Sequence, residues 1–254
     1  MRNQYCIANW KMNQSISDCR NFIDYINSNI KYSNSKMIIC PSNIHLSLMH
    51  SISENSELII GAQTVSEFKN GAYTGETSCE MLLDSGINWT ILGHSERRQY
   101  FNETNEVILN KLRNVIEYKI NPILCIGESL EDRKSEKTVD VLKSQIESAC
   151  SDLNFSDVEL VIAYEPVWAI GTGVAADIYT ISETHNQIRY FLPEYLQNSE
   201  NISILYGGSV NPNNCRAILN IENVDGFLIG GASLSPQKFL NIYTQMNEIG
   251  VESL

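Results

Sequence analysis

The chain has 254 residues, of which 43% are hydrophobic and 19% charged, and its formal net charge at pH 7 is −12. It contains no run of about 20 apolar residues, which a membrane-spanning helix would need, and its first residues read as a strand rather than a signal peptide. Nucleic-acid and anionic-membrane partners reward a basic face, which this acidic chain does not offer. We therefore expect a cytoplasmic, globular protein with no nucleic-acid partner and no membrane partner.

The seven cysteines are an odd number, with no CxxC pair and no histidine nearby at zinc spacing. We expect neither disulfides nor a metal site. No Pro/Gly/Ser-rich or low-complexity segment marks a linker, so residues 1–254 are predicted to form a single domain.

Short apolar runs recur along the chain at roughly 30-residue spacing, each followed by an amphipathic helical pattern. Because the runs are apolar on consecutive residues, both faces of each strand are expected to be covered, as in a parallel sheet flanked by helices. The runs are Tyr5–Ala8, Met37–Cys40, Leu58–Ile60, Trp89–Leu92, Ile123–Ile126, Leu160–Tyr164, Ile202–Tyr206 and Phe227–Ile229.

The intervening segments carry helical faces and helix starts. One face is formed by Cys19, Phe22, Ile23, Ile26 and Ile30, and another by Ile108, Leu112, Val115 and Ile116. Asn211-Pro212 and Ser235-Pro236 each place a cap residue before a proline, which predicts a helix start. Eight βα units in sequence close naturally into an α/β fold, a (β/α)8 TIM barrel of eight parallel strands surrounded by helices. An open doubly wound sheet is the alternative.

Polar, charged or glycine-rich groups follow the end of every run. In a barrel of this kind, the loops after the carboxyl ends of the strands build the functional site. We therefore expect one ring that contains Asn9, Lys11, Pro41, Gln63, His94, Glu96, Gly127, Glu128, Glu165, Gly207, Gly208, Ser209, Gly230 and Gly231.

Seven segments in this order resemble the triosephosphate isomerase family over the whole chain. They are Asn9–Asn13, Gly71–Glu76, Gly93–Arg98, Cys125–Glu128, Ala163–Gly173, Tyr206–Val210 and Gly226–Ser233. The resemblance implies an intramolecular aldose-ketose isomerase of glycolysis and gluconeogenesis that needs no cofactor. Its substrates would be the small phosphorylated trioses dihydroxyacetone phosphate and D-glyceraldehyde 3-phosphate.

Such a reaction needs a base, an electrophile that stabilises the enediolate oxygens and groups that bind the phosphate. Glu165 follows an apolar run and precedes a proline, where partial desolvation would strengthen it as the base. His94 stands where a short helix could begin, whose dipole would disfavour the protonated ring and leave a neutral electrophile. The other three histidines are assigned no catalytic role.

Lys11 supplies a positive charge at the end of the first run, and the resemblance implies that it contacts substrate and pairs with Glu96. Asn9 is implied as a further substrate contact. Backbone N–H groups bind anions without net positive charge on the protein, which suits glycines after the last two strands. The predicted phosphate contacts are Gly171, Ser209, Gly230 and Gly231.

A segment after the base resembles the lid of this family, which would exclude water from a labile enediolate phosphate. It comprises Pro166, Val167, Trp168, Ala169, Ile170, Gly171, Thr172, Gly173, Val174, Ala175 and Ala176. Its last residues depart from the family, which usually has Lys or Thr after the second Gly and a Pro in the next turn. The same residues spell a dinucleotide-binding fingerprint, but no strand directly precedes the glycines, so no nicotinamide cofactor is expected.

The loop from Gly71 to Ser78 implies, by resemblance, a homodimer in which Thr74 lies near Lys11 and His94 of the neighbouring subunit. Gln63-Thr64 stands at the base of this loop, where the family usually has Gln-Asn. From the residues alone, a mobile surface loop is the alternative.

Two other functions fit parts of the chain. A glycosidase could use a pair among Glu96, Glu128 and Glu165, although the phosphate-binding glycines would then have no role. A catalytically silent barrel could serve as a binding or scaffold protein, although it would not need Asn9, Lys11, His94 and Glu165 together.

Overall fold

The computed structural model describes residues 2–31, 35–169 and 176–252, with side chains to Glu248. Eight strands lie close to the predicted apolar runs, and each pairs in parallel with its neighbours. They are β1 (Tyr5–Asn9), β2 (Lys36–Cys40), β3 (Ile59–Ile60), β4 (Trp89–Leu92), β5 (Asn121–Ile126), β6 (Val161–Tyr164), β7 (Ser203–Tyr206) and β8 (Gly226–Ile229).

The sheet runs in the order β3-β2-β1-β8-β7-β6-β5-β4. Ala62 joins its two edges, because its N–H donates to Trp89 O at 2.8 Å and its carbonyl accepts from Ile91 N–H at 2.8 Å. The eight strands therefore form the predicted barrel, and the open doubly wound alternative is wrong.

Ten α-helices surround the barrel within the described residues. They are α1 (Ile16–Asn29), α2 (Leu46–Ser53), α3 (Cys79–Asp84), α4 (Ser95–Tyr100), α5 (Asn105–Glu117), α6 (Leu130–Lys134), α7 (Thr138–Cys150), α8 (Ile178–Phe191), α9 (Cys215–Leu219) and α10 (Pro236–Glu252). In the part of the chain that the structure covers, none combines the length and the apolar character needed to cross a bilayer.

Two apolar layers follow from the alternation of side chains along the strands. Ile7, Ile38, Ile91 and Ile123 belong to a cluster from the interior of the barrel. Their strand neighbours face outwards and pack on the helices, where the predicted faces of α1 and α5 are buried, although Ile30 lies beyond the end of α1 and Ile116 is half-buried.

One of the two predicted proline starts is correct. Ser235 caps α10, which begins at Pro236. The start at Asn211-Pro212 is wrong, because residues 212–214 form a turn and α9 begins at Cys215. Asn211 N–H donates to Asn214 Oδ1 at 2.8 Å, and this bond closes the turn before the helix.

Candidate active site

A cavity of about 650 Å³ lies at the carboxyl ends of the strands. Seven of the predicted site residues line it: Asn9, Lys11, His94, Glu165, Ser209, Gly230 and Gly231. Glu96 does not line the cavity but pairs with Lys11, and Gly171 falls outside the described residues together with the rest of the predicted lid positions 170–175. The cavity therefore brings together residues from β1, β4, β6, β7 and β8 that are far apart in sequence.

Glu165 and His94 face each other in this cavity. His94 Nε2 lies 3.0 Å from Glu165 Oε1, and the backbone N–H of Ser95 donates to Glu165 Oε2 at 2.9 Å. Both side chains are almost fully buried. Each carboxylate oxygen therefore has a donor close by.

The hydrogen bond at His94 Nδ1 determines which ring nitrogen carries the hydrogen when the ring is neutral. His94 caps α4, and its Nδ1 accepts a hydrogen bond from Glu96 N–H at 3.2 Å. A ring nitrogen that accepts carries no hydrogen, so a neutral His94 has its hydrogen on Nε2. Nε2–H is then the group directed at Glu165.

The charges of Glu165 and His94 stabilise each other. Burial would raise the pKa of Glu165, but His94, the Ser95 N–H and Lys11 outweigh burial and leave that pKa below its ordinary value. Burial would lower the pKa of His94, but the Glu165 carboxylate outweighs burial and raises it. The expectation that desolvation strengthens Glu165 as a base is therefore wrong for this arrangement, because the nearby donors have the larger effect.

Lys11 projects from a strained backbone position two residues after the end of β1. Its φ of 53° lies in the left-handed region, and its Nζ lies 2.6 Å from Glu96 Oε1. A Cβ on Gly230 would lie 3.5 Å from Lys11 Cε, so the ammonium arm passes close to the loop after β8. Asn9 Oδ1 accepts from Lys11 N–H at 3.1 Å.

Two supports of Lys11 were not predicted in that role. Gln63 Nε2 donates to Lys11 O at 2.8 Å, and Ser42 Oγ donates to the same carbonyl at 3.0 Å. Gln63 was expected in the ring only as a polar strand end, and Ser42 was not singled out. The signal available in the sequence is their position, since Ser42 follows β2 by two residues and Gln63 follows β3 by three, where a polar side chain reaches the same rim. The Thr64 hydroxyl, next to Gln63, accepts from the buried Lys111 ammonium at 3.0 Å.

Two glycines allow close approach to Glu165. A Cβ on Gly207 would lie 2.9 Å from Glu165 Cγ, and a Cβ on Gly127 would lie 1.8 Å from Glu165 O. Any larger residue at either position would displace the carboxylate or its backbone. These glycines therefore shape the position of Glu165.

The other wall of the cavity is made of backbone. Gly230 directly precedes a short 3-10 segment, Gly231–Leu234, and its carbonyl accepts from Ser233 N–H at 2.9 Å. Ser209 stands after β7 on the same side, and its hydroxyl donates to Ala169 O at 3.0 Å. Small residues and backbone amides at this wall are suited to an anion.

Glu128 does not face the cavity. It is fully buried, and its Oε1 accepts from Trp168 Nε1 at 2.9 Å, from Tyr164 OH at 3.1 Å and from Arg133 Nη1 at 3.1 Å. Trp168 belongs to the first part of the predicted lid. At the lid's other end, Ala176 N–H donates to Tyr206 OH at 3.3 Å.

These positions argue against a glycosidase. Among the described residues that line the cavity, Glu165 is the one carboxylate, since Glu96 is turned to Lys11 and Glu128 to Trp168. A pair of carboxylates across one bond, which glycoside hydrolysis requires, is not formed.

A second and larger depression, of about 1010 Å³, lies at the amino-terminal end of the barrel. Its lining includes Asn3 and Glu159, and Glu159 already accepts hydrogen bonds from Asn3, Tyr5 and Lys36. Its size therefore does not make it the better candidate, because its described lining carries three carboxylates, Asp152, Asp157 and Glu159, and no histidine, lysine or arginine that could bind an anion.

The thiols offer no alternative nucleophile. All seven cysteines are buried and unpaired. Burial, followed by the charge of Glu165, raises the pKa of Cys125 well above its usual range, so the thiol closest to the candidate base stays protonated. Within the described residues, no three His, Cys, Asp or Glu side chains come together as ligands for a metal ion.

Known proteins resemble this chain along nearly all of its length. A family model described as triosephosphate isomerase matches residues 4–246. A protein named triosephosphate isomerase from Alkaliphilus metalliredigens is 41% identical over 245 residues, which cover 95% of this chain and 99% of the relative. Proteins of the same name from Dictyoglomus turgidum and Vesicomyosocius okutanii are 42% and 43% identical, and the matches cover 95% of this chain and 99% and 98% of the relatives. Every described residue of the cavity lies inside the matched segment.

Proposed function

The chain belongs to the triosephosphate isomerase family, and we propose that Glu165 is the base with which it interconverts dihydroxyacetone phosphate and D-glyceraldehyde 3-phosphate. The reaction itself follows from the family, and it is a step of glycolysis. Nothing in the site favours a silent scaffold.

The observation that carries the proposed roles is the pairing of a buried carboxylate with a ring N–H. Glu165 would take a proton from the carbon beside the carbonyl, and the electron pair would move to the carbonyl oxygen to give an enediolate. His94 Nε2–H and the Lys11 ammonium would stabilise that oxygen. Glu165 would then return the proton to the neighbouring carbon. The hydroxyl proton must also pass from one oxygen to the other, and His94 would carry it by donating its Nε2–H to the enediolate oxygen and taking up the proton of the neighbouring hydroxyl. Atoms and charge then balance without a cofactor.

Substrate binding would also change the strength of the base. A triose between Glu165 and His94 separates two groups that now stabilise each other's charge at 3.0 Å. Glu165 then keeps its burial but loses a donor, so its pKa rises, and His94 loses the nearby carboxylate, so its pKa falls. Both changes favour a stronger base beside a neutral hydrogen-bond donor.

We place the phosphate against Ser209, Gly230 and Gly231, with the Lys11 side chain beside Gly230 and Asn9 next to Lys11. The glycines and the serine line one wall of the cavity, where backbone amides can hold an anion in an otherwise acidic protein. Gly171 is proposed as a further contact, and Glu96 as the partner that orients Lys11.

We propose that the segment from Pro166 to Ala176 covers the bound substrate. The support comes from its described ends, since Trp168 is held by Glu128 and Ala176 by Tyr206. A cover that begins next to the base would exclude water from the enediolate and limit loss of its phosphate. We also place the protein in the cytoplasm, where seven unpaired thiols suit a reducing environment.

A homodimer is the expected assembly. Met12 and Ile44 are 93% and 85% exposed, and they follow Lys11 and Ser42, which are joined by a hydrogen bond. Ile44 lies in the short 3-10 segment Asn43–His45. Large exposed apolar side chains grouped in this way are typical of an interface. Thr74 is also exposed, on the loop between β3 and α3 that would contact the partner.

Light scattering on the purified protein tests the dimer, and the expected mass is twice that of one chain. Ile44→Lys should shift the mass towards a monomer because it would place a charge in the interface. Ile178→Lys changes an apolar residue that is 46% exposed on α8 and should leave the dimer intact. A monomeric wild-type protein would contradict the assembly.

A further inference from the structure

The side-chain amide of Gln145 binds both backbone groups of one residue, Gly127. Gln145 Oε1 accepts from Gly127 N–H at 2.9 Å, and Gln145 Nε2 donates to Gly127 O at 2.9 Å. Gln145 lies half-buried on α7, outside the barrel, and does not line the cavity. Its amide therefore pairs with Gly127 much as a neighbouring strand would.

Beyond the end of β4, the last residues of β5 have no neighbouring strand on that side among the described residues. β4 ends at Leu92, whereas β5 continues to Ile126, because the chain after β4 turns away into α4. Arg98, on α4, donates from Nη2 to Cys125 O at 3.2 Å. Two residues further along the chain, Gly127 N–H donates to Gln145 Oε1. Side chains thus replace the partner that β4 no longer provides.

On its other edge, the segment from Ile126 to Glu128 accepts hydrogen bonds from the backbone around Glu165. Glu165 N–H donates to Ile126 O at 2.7 Å, and Val167 N–H donates to Glu128 O at 3.2 Å. Gly127 lies between these two bonds and touches Glu165 directly, since a Cβ there would lie 1.8 Å from Glu165 O. A shift of Gly127 would therefore be transmitted to the peptide that carries the carboxylate.

We infer that Gln145 is a positioning residue for Glu165. It fixes Gly127 on the side where β4 is absent, and Gly127 in turn fixes the backbone of Glu165 relative to His94. The inference rests on the proposed role of Glu165 as the base. It predicts that loss of the amide moves the base without altering the phosphate-binding wall.

Steady-state kinetics of Gln145→Ala test this role. We expect kcat to fall by about 10- to 100-fold, because a small misplacement of a reacting group has an effect of this size. KM should stay within about twofold, because Gln145 is remote from Ser209, Gly230 and Gly231. Gln187→Ala, the same truncation on α8, should leave both constants unchanged. A Gln145→Ala protein that loses thermal stability but keeps the wild-type kcat would overturn the inference.

Two further variants complete the test. Gln145→Glu keeps the size of the side chain and loses the N–H donor to Gly127 O. It should lower kcat and leave KM unchanged in the same way, and it replaces Gln145→Ala in the test if that variant does not fold. In a Glu165→Gln background, Gln145→Ala should cause little further loss, because the group that it positions is already gone. An equal loss in both backgrounds would show that Gln145 acts elsewhere. Absence of turnover in the wild-type protein would instead refute the proposed function.

Discussion

Lys11 brings its charge into the cavity on an unfavourable backbone. A left-handed conformation costs a non-glycine residue about 1–2 kcal/mol, and the φ of Lys11 is 53°. Gln63 and Ser42 bind its carbonyl and Asn9 binds its N–H, so the surrounding side chains offset that cost. The position of Lys11 after the first strand is readable in the sequence, but the strained backbone is not, because no glycine marks it.

Gly207→Ala should lower turnover while the fold survives. The new methyl group would lie 2.9 Å from Glu165 Cγ and 3.1 Å from Tyr164 O, so the carboxylate would have to move. We expect kcat to fall by about 100-fold, with KM changed much less. Circular dichroism would establish the fold and steady-state kinetics the effect. An alanine variant with the wild-type kcat would show that Glu165 tolerates displacement.

The elements of the barrel were largely predictable because strands buried on both faces carry consecutive apolar residues. The spacing of apolar residues carries no information about polar side chains that bind the backbone. The wrong start of α9 and the unpredicted contact of Gln145 both depend on such side chains. Asn214 closes a turn that delays α9, and Gln145 lies 18 positions from the glycine that it holds. Candidate site residues could be found at strand ends, but the balance of donors around Glu165 depends on how β4 and β6 are placed in space.

Trp168→Phe tests the element that begins after the base. The substitution keeps an aromatic ring but removes the hydrogen bond to Glu128, and a bond to a charged group contributes about 1.5–3 kcal/mol. We expect kcat to fall by about tenfold, because the start of the covering segment loses its anchor. The pH dependence of kcat should stay as in the wild type, since Glu165 and His94 are unchanged. A shifted pH profile would mean that Trp168 affects the chemistry directly.

At the scale of the whole molecule, a buried histidine links folding to pH. His185 lies fully buried between the rings of Tyr164 and Tyr206, and its Nδ1–H donates to Asn223 O at 2.9 Å. Among the residues that the structure describes, its Nε2 has no hydrogen-bond partner. Burial lowers the pKa of His185 to about 4, although the bond to Asn223 acts in the opposite direction.

The wild-type protein should therefore lose stability in mild acid. Between the ordinary histidine pKa of about 6.5 and the folded value of about 4, the unfolded chain binds a proton that the folded chain does not. The free energy of unfolding should fall by about 3 kcal/mol from this group alone as pH drops from 7 to 4. His185→Asn, which keeps a donor for Asn223, should lack that part of the slope. Urea denaturation of both proteins at the two pH values measures the difference, and parallel slopes would contradict the role of His185.

The assignment of Glu165 as the base of a triose phosphate isomerase is tested most directly by turnover of glyceraldehyde 3-phosphate. Appearance of dihydroxyacetone phosphate would be followed for the wild type, for Glu165→Gln and for Glu147→Gln, which changes an exposed carboxylate on α7. The wild type and Glu147→Gln should isomerise the substrate at equal rates. Glu165→Gln should keep its circular dichroism spectrum and lose roughly 100- to 10,000-fold in kcat. A Glu165→Gln protein with a near-wild-type rate would contradict the account.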